Sequence, residues 1–400
     1  MRVASRSALA VAIIVAMCVI LAVMIIVRPE SRQKEIVTEP QRPELVDAGQ
    51  SSWPVFRGGQ RLLGRASGTL PDSMTLLWKF KTNGEIKSSP VIDDKLVFIG
   101  SSDANVYAID LEKGQQVWAY KTGDAVEAAP CTVEGSVFVG SSDNFLYALD
   151  AKSGALKWKY QTDGQILGAA NWTRSPDGKR TWLLVGSYDN KLHCVDAISG
   201  EAVWKYQTES YVNGSPAVGE GKAVFGGCDA MIHAVSVADG SKAAQIDAGS
   251  FIAASAAFLD GQVFVGNYDN VFIRADLATG KIVWKYTGGD QPFFSSAAVG
   301  QDVVVIGGRD KYVHCVKRDN GKAVWKFPTG GQVDSSPVIC GDKVIVGSED
   351  GRLYMIRLSD GTEVWSYEIG QAITSSPAAV EGMVVIGSDD GYVYAFAGKR

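Results

Sequence analysis

Residues 147–158 read YALDAKSGALKW, and near-copies of this stretch recur along the whole chain. Whether it marks a binding site or a structural joint decides the fold. Tryptophans fall at Trp78, Trp118, Trp158, Trp204, Trp284, Trp325 and Trp365, with Ala244 standing where one more would lie, at spacings of 40, 40, 46, 40, 40, 41 and 40 residues. A second marker, Gly-x-x-Asp, occurs in all eight units, from Gly100 and Asp103 to Gly387 and Asp390. A period near forty residues marks an architecture in which each unit buries its apolar face on a neighbour.

Within one unit, four short strand patterns are legible, for example VEAAPCTV, SVFVGS, FLYALD and ALKWKYQ, each bounded by Gly, Asp, Asn or Ser turn signals. Four strands make one propeller blade. The last unit, GYVYAFAGKR, ends without a fourth strand, while LLWKFKT at 76–82 resembles a fourth strand with no blade before it. Pairing the two closes the ring and removes the exposed sheet edges. The six-residue excess lies near NWTRSPDGKRTW, 171–182, and reads as a loop insertion between the first two strands of the third blade. The expected fold is all-β: an eight-bladed β-propeller of four-stranded blades, closed by an N-terminal strand and preceded by one transmembrane helix.

In this frame ALDAKSGALKW is a joint. Gly154 supplies a positive φ in the turn between third and fourth strands, Asp150 caps amides there, Ala148 leaves room, and Trp158 brings a ring and an indole N–H that needs an acceptor. The parts are expected to presuppose one another. In the unit AVSVADGSKAA the Asp is replaced by Ser236 and the Trp by Ala244, so both vanish together.

The remaining chain sets the setting. Between Arg6 and Arg28 runs SALAVAIIVAMCVILAVMIIV, uncharged over 21 residues and long enough as a helix to cross a bilayer. No small-x-small cleavage site follows it, which favours an uncleaved anchor. The expected organisation is an anchor at 1–28, a charged, Pro-containing tether at 29–52 and a propeller at 53–400. Net charge of −5 and the lack of a basic block exclude a nucleic-acid binder. The six cysteines show no CxxC spacing, and Cys131, Cys194, Cys228, Cys315 and Cys340 are expected as free thiols.

The chain resembles the pyrroloquinoline-quinone-like β-propellers, whose A-x-D-x-x-x-G-x-x-x-W docking motif is matched from Ala108 to Trp118 and from Ala148 to Trp158. WPVFRGG at Trp53 looks like the opening segment of such propellers. The resemblance implies the fold over about 53–400, and it admits several functions, because the family holds quinoprotein dehydrogenases, BamB-type outer-membrane assembly factors and other envelope proteins. A quinoprotein dehydrogenase would carry quinone and Ca²⁺ with a catalytic Asp, an active-site Trp and often adjacent cysteines, none of which can be placed here. No catalytic, cofactor-binding or metal residues are assigned, and PQQ with Ca²⁺ belongs only to the dehydrogenase alternative. His193, His233 and His314 stand where other units have Tyr107, Tyr147, Tyr354 and Tyr394, and read as packing substitutes. The Gly-x-x-Asp carboxylates read as turn caps rather than as a cation-binding ring.

Function is expected where the repeats differ. At the start of the first strands the second residue of IKSSP, VEAAP, ILGAA, VNGSP, IAASA, FFSSA, VDSSP and ITSSP is Lys87, Glu127, Leu167, Asn213, Ala253, Phe294, Asp334 and Thr374. These positions are expected to ring one channel mouth as a partner-binding face, with Phe293 and Phe294 as its apolar anchor. The expected protein is a membrane-anchored, non-catalytic binding scaffold with an envelope protein as partner and its propeller periplasmic or otherwise extracytoplasmic. The alternatives are a PQQ-dependent dehydrogenase and an extracytoplasmic ligand sensor.

Overall fold

The computed structural model describes residues 52–398. The expected anchor, most of the tether and Cys18 lie outside the described residues, and among those described no helix is long and apolar enough to cross a membrane.

Eight four-stranded antiparallel units follow in chain order, with blades 1 to 7 at residues 91–121, 131–161, 171–207, 217–247, 257–286, 298–328 and 338–368. Blade 8 joins Ala378–Val380, Met383–Gly387 and Tyr392–Gly398 to Met74–Lys81, which pairs antiparallel with the last of these. The strand before the first blade thus closes the ring, as the sequence predicts. The extra residues of blade 3 form a turn at 175–180, held by Ser175 and Asp177.

The second and third strands of each blade are almost wholly buried, because their Val, Ile, Leu and Phe side chains meet those of the adjoining blades on both faces. Each Gly-x-x-Asp glycine sits under the first side chain of the next blade's inner strand. A Cβ on Gly100 would lie 2.4 Å from Val126 Cγ1, and one on Gly140 would lie 2.1 Å from Ile166 Cγ2. The glycine is therefore a contact requirement between blades.

The tryptophans work between blades as well. Trp158 lies opposite Ala148 in its own sheet, but its indole covers Gly200 of blade 3 and donates to Ala197 O at 3.1 Å. Gly154 is covered instead by Trp118 of blade 1, which donates to Ala151 O at 2.9 Å. Trp78, Trp204, Trp284 and Trp325 repeat this on Leu111, Val237, Arg318 and Leu358 carbonyls. Trp365, facing blade 8, packs on Phe396 and Tyr367. This corrects one expectation: turn and tryptophan of a single repeat serve different joints, so Ser236 and Ala244 are separate losses. Gly240 keeps its indole from Trp204.

The segment from Trp53 to Leu70 closes one end of the channel. Its backbone meets every blade in turn: Trp53 exchanges bonds with Ile92, Pro54 O accepts from Thr132, Gln60 O from Asn171 and Val218, and Arg61 O from Phe258. Leu63, Gly64 and Thr69 carbonyls then accept from Val299, Ile339 and Gly382. Arg65–Ala66 adds a fifth, parallel strand to blade 7. At its centre the guanidinium of Arg57 donates to Ser336 O at 2.9 Å, Ala297 O at 3.2 Å and Pro337 O. Arg57 is fully buried with no carboxylate partner among the described residues, and burial pushes its pKa down to about 9. The residues of WPVFRGG explain themselves here: Gly58 (φ +84°) lies under the Trp53 ring and Gly64 (φ +61°) under the Arg57 guanidinium, where no Cβ fits.

Candidate functional site

The other end is open. The inner strands begin there, and their first residues form a funnel of about 190 Å³ lined by Lys87, Glu127, Leu167, Asn213, Ala253, Phe294, Asp334 and Thr374. All eight differing positions read from the repeats therefore meet at one mouth. Phe293 does not belong with them. It is fully buried, its Cβ stands over Gly266, and its ring packs on Phe272, Tyr286 and His314. It occupies the register filled by Val126 and Ile166 in other blades, which is the physical reason it leaves the mouth to Phe294.

Below the rim runs a belt of serine hydroxyls. Ala169 N donates to Ser215 Oγ at 2.9 Å, Ser215 N to Ser255 Oγ, Ser255 N to Ser296 Oγ, Ser296 N to Ser336 Oγ, Ser336 N to Ser376 Oγ and Ser376 N to Ser89 Oγ. The belt breaks at blades 2 and 3, where Ala129 and Ala169 stand in the serine register. Each link satisfies an amide that strand pairing leaves free at the neck. Phe56, from the closing segment, forms part of the funnel lining with the belt residues.

A second differing column surrounds the mouth, and it lies inside the Gly-x-x-Asp motif itself. Its third residue is Ser102, Ser142, Tyr188, Cys228, Tyr268, Arg309, Glu349 or Asp389. Each amide bonds back to the loop before an inner strand, as Tyr268 N does to Phe251 O and Arg309 N to Pro292 O. The two columns divide the mouth chemically. Around blades 3 to 6, Tyr188 stacks on Tyr211 with centroids 4.7 Å apart, and Tyr268 bridges Phe251 and Phe294. Tyr211, Phe251 and Tyr268 are 48%, 54% and 43% exposed, so rings that normally seek burial face solvent side by side.

Around blades 7, 8, 1 and 2 the mouth is charged. Arg309 is held by both oxygens of Asp334, at 2.9 and 2.5 Å, with its guanidinium 3.7 Å above Phe294. Lys87 lies 3.6 Å from Glu127 and 3.5 Å from Glu85, whose charges raise its pKa. Burial, then the Asp334 charge, raises the Glu349 carboxyl, and burial, then the nearby Glu85, raises Asp389, which accepts from Thr374 Oγ1 at 2.8 Å.

The other singled-out residues are engaged locally. Asp103 accepts from Asn105 N at 3.0 Å, Asn83 N at 2.9 Å and Tyr107 Oη at 2.7 Å, and Asp143 repeats the pattern. His193, His233 and His314 take the tyrosine place, each between the Asp four residues before it and a Tyr of the preceding blade. Burial opposes ionisation of Asp189, yet His193 holds it down at about 2. No group of three potential metal ligands converges among the described residues. The five described cysteines are free, four of them buried.

The fold also raises the question of a quinone. Pyrroloquinoline quinone is a planar tricarboxylate, which needs unpaired cations. Among the described residues Lys87 is the one cation of the funnel lining and faces two carboxylates, Arg309 is held by Asp334, and Arg57 is spent on carbonyls. The described lining of the funnel does not fit that group.

Comparison with known proteins agrees with the architecture. The profile of the family described as outer membrane protein assembly factor BamB matches residues 64–177, 162–250, 230–326 and 309–400. Among solved structures, BamB from Moraxella catarrhalis is similar at a TM-score of 0.69 and 20% identity, over 82% of this chain and 98% of that one. The computationally designed Ika8 protein gives 0.71 at 17%, over 81% and 99%, and a europium-containing methanol dehydrogenase gives 0.73 at 13%, over 87% and 98%. No curated protein matches. At such identities the solved structures speak for the fold alone, whereas the family profile spans nearly the whole propeller. The chain therefore belongs to the BamB family of pyrroloquinoline-quinone-like β-propellers.

Proposed function

We propose that the protein is a non-catalytic binding scaffold of the cell envelope, tethered to a membrane by its N-terminal segment, and that it holds a protein partner at the open face in outer-membrane protein assembly. The observation that carries this reading is the run of solvent-facing rings, Tyr211, Phe251 and Tyr268, beside the one channel mouth that the Trp53–Leu70 segment leaves open. Exposed aromatic rings next to a rim of fixed charges are the composition of a protein-binding surface with an apolar centre and polar edge. Membership of the BamB family supports the envelope setting, and the apolar span at 7–27 supports the tether.

The test is capture from native envelopes. Phe251→Ala combined with Tyr268→Ala should leave the melting transition nearly in place while weakening recovery of the partner. Recovery equal to that of the unaltered protein would remove this face. Dye-linked alcohol oxidation on adding quinone and Ca²⁺ would instead establish the dehydrogenase.

A further inference from the structure

The joint between blades 4 and 5 differs from the others. In six joints an indole lies on the glycine of the next blade's turn and donates to the carbonyl three residues before it, at 2.8–3.1 Å. At the joint of blades 4 and 5 the residue in the tryptophan register is Ala244, paired with Ala234. Its neighbours change too: Ile246 stands where blades 2 and 3 have Tyr160 and Tyr206, and Ile273 where blades 3 and 4 have His193 and His233.

The receiving turn is nevertheless intact. Gly280 has φ +67°, the value of Gly114, and Gly280 N bonds to Asp276 O at 2.9 Å as Gly114 N does to Asp110 O. Asp276 Oδ1 caps Thr279 N at 2.7 Å, and Leu277 N bonds to Gly261 O as Leu111 N does to Lys95 O. Leu277 O thus occupies the same turn position as the six indole acceptors. Around Gly280 there is open space: a Cβ there would meet no described heavy atom within 4 Å, whereas at the six filled turns it would lie 2.5–2.8 Å from an indole. Ala244 and Ile282 pack half-buried against the cluster holding Leu277 and Ile246, so the walls are apolar.

We propose that this joint is a preformed indole site that receives a tryptophan side chain of another protein. Its six filled counterparts define the ligand: a flat ring on the glycine face and one N–H toward a fixed carbonyl. Among the described residues no tryptophan is left to fill the site. Residues 1–51 and 399–400 contain no tryptophan, Trp53 covers Gly58, Trp172 and Trp182 belong to blade 3, and Trp365 packs on Phe396. The site lies at the end of the turns between third and fourth strands, away from the funnel, so it stands or falls independently of the funnel reading.

The experiment is a ¹⁹F NMR titration of N-acetyl-5-fluorotryptophanamide with the full-length protein in detergent, against detergent alone. Saturable broadening at millimolar probe is expected, about two- to tenfold weaker for the benzothiophene analogue that lacks the N–H. Ala244→Trp supplies the ring from within. It should raise Tm and weaken probe binding at least about tenfold, as an internal competitor does by mass action. Absence of saturable binding, undiminished binding by the variant, or a variant of lower Tm would each overturn the inference.

Discussion

The two ends of the channel are built on opposite principles. At one end, the Trp53–Leu70 segment bonds to all eight blades mainly through backbone groups, and its one central charge, Arg57, is enclosed by carbonyls. At the other, eight different side chains stand on the same strand register and face a funnel. Backbone pairing tolerates sequence change and yields closure. Side-chain variety on a fixed register yields a surface that can tell one partner from another. Stability should therefore reside at the closed end and in the tryptophan-filled joints, and recognition of the partner proposed for the open face at the mouth.

The largest expected effect lies at the closed end. Arg57→Ala leaves three buried carbonyls without donors and a cavity beside Gly64, and should cost about 3 kcal/mol or more, read as Tm. An unchanged Tm would show that the segment merely rests on the blades. Next comes a joint. Trp158→Ala removes a half-buried ring and its bond to Ala197 O, and should cost about 2–3 kcal/mol, read by chemical denaturation, with partner binding intact in the folded fraction. Loss of binding at unchanged stability would move recognition into the joints.

Smaller in stability, and confined to the open end, is Phe294→Ala. It frees Arg309 from its ring contact and should weaken partner capture at least about tenfold while altering stability by about 1 kcal/mol or less. Smallest is a pH effect at the same rim. Burial, then Asp334, raises the Glu349 carboxyl, so the folded protein takes up that proton more readily than the unfolded chain. Its ionised form costs stability at neutral pH, and stability gains as pH falls through the raised value. Glu349→Gln should slightly raise Tm at pH 7 and flatten the gain on mild acidification. Asp189, held down at about 2, acts the other way: its contribution is present above the unfolded pKa and lost as pH falls toward 2.

Much of this was legible in the sequence because repetition acts as an internal alignment. Lys87, Glu127 and their six counterparts stand out against constant neighbours, and one register places them on one mouth. Phe293 and Phe294 look alike in sequence, because two adjacent aromatics open FFSS and only the strand's alternation sends one over Gly266 and the other to the rim. Tyr188, Tyr268 and Arg309 stand at a varying position inside the fixed Gly-x-x-Asp frame, where the constant glycine and aspartate carry the repeat signal and a single varying residue between them carries little. The direction of the tryptophans was not legible, because Trp158 follows Gly154 by only four positions in sequence, whereas its indole reaches Gly200 across a blade boundary. Nor was the closing segment, whose bonds are largely backbone to backbone and leave little trace in side-chain pattern.

The most direct test of the division between the two ends is site-specific photo-crosslinking in native envelopes. A photoreactive residue at Phe251, on the open face, is compared with one at Lys113, in a turn at the closed end. The division predicts a discrete protein adduct from position 251 and none from 113. Adducts of equal yield from both, or from 113 alone, would contradict it.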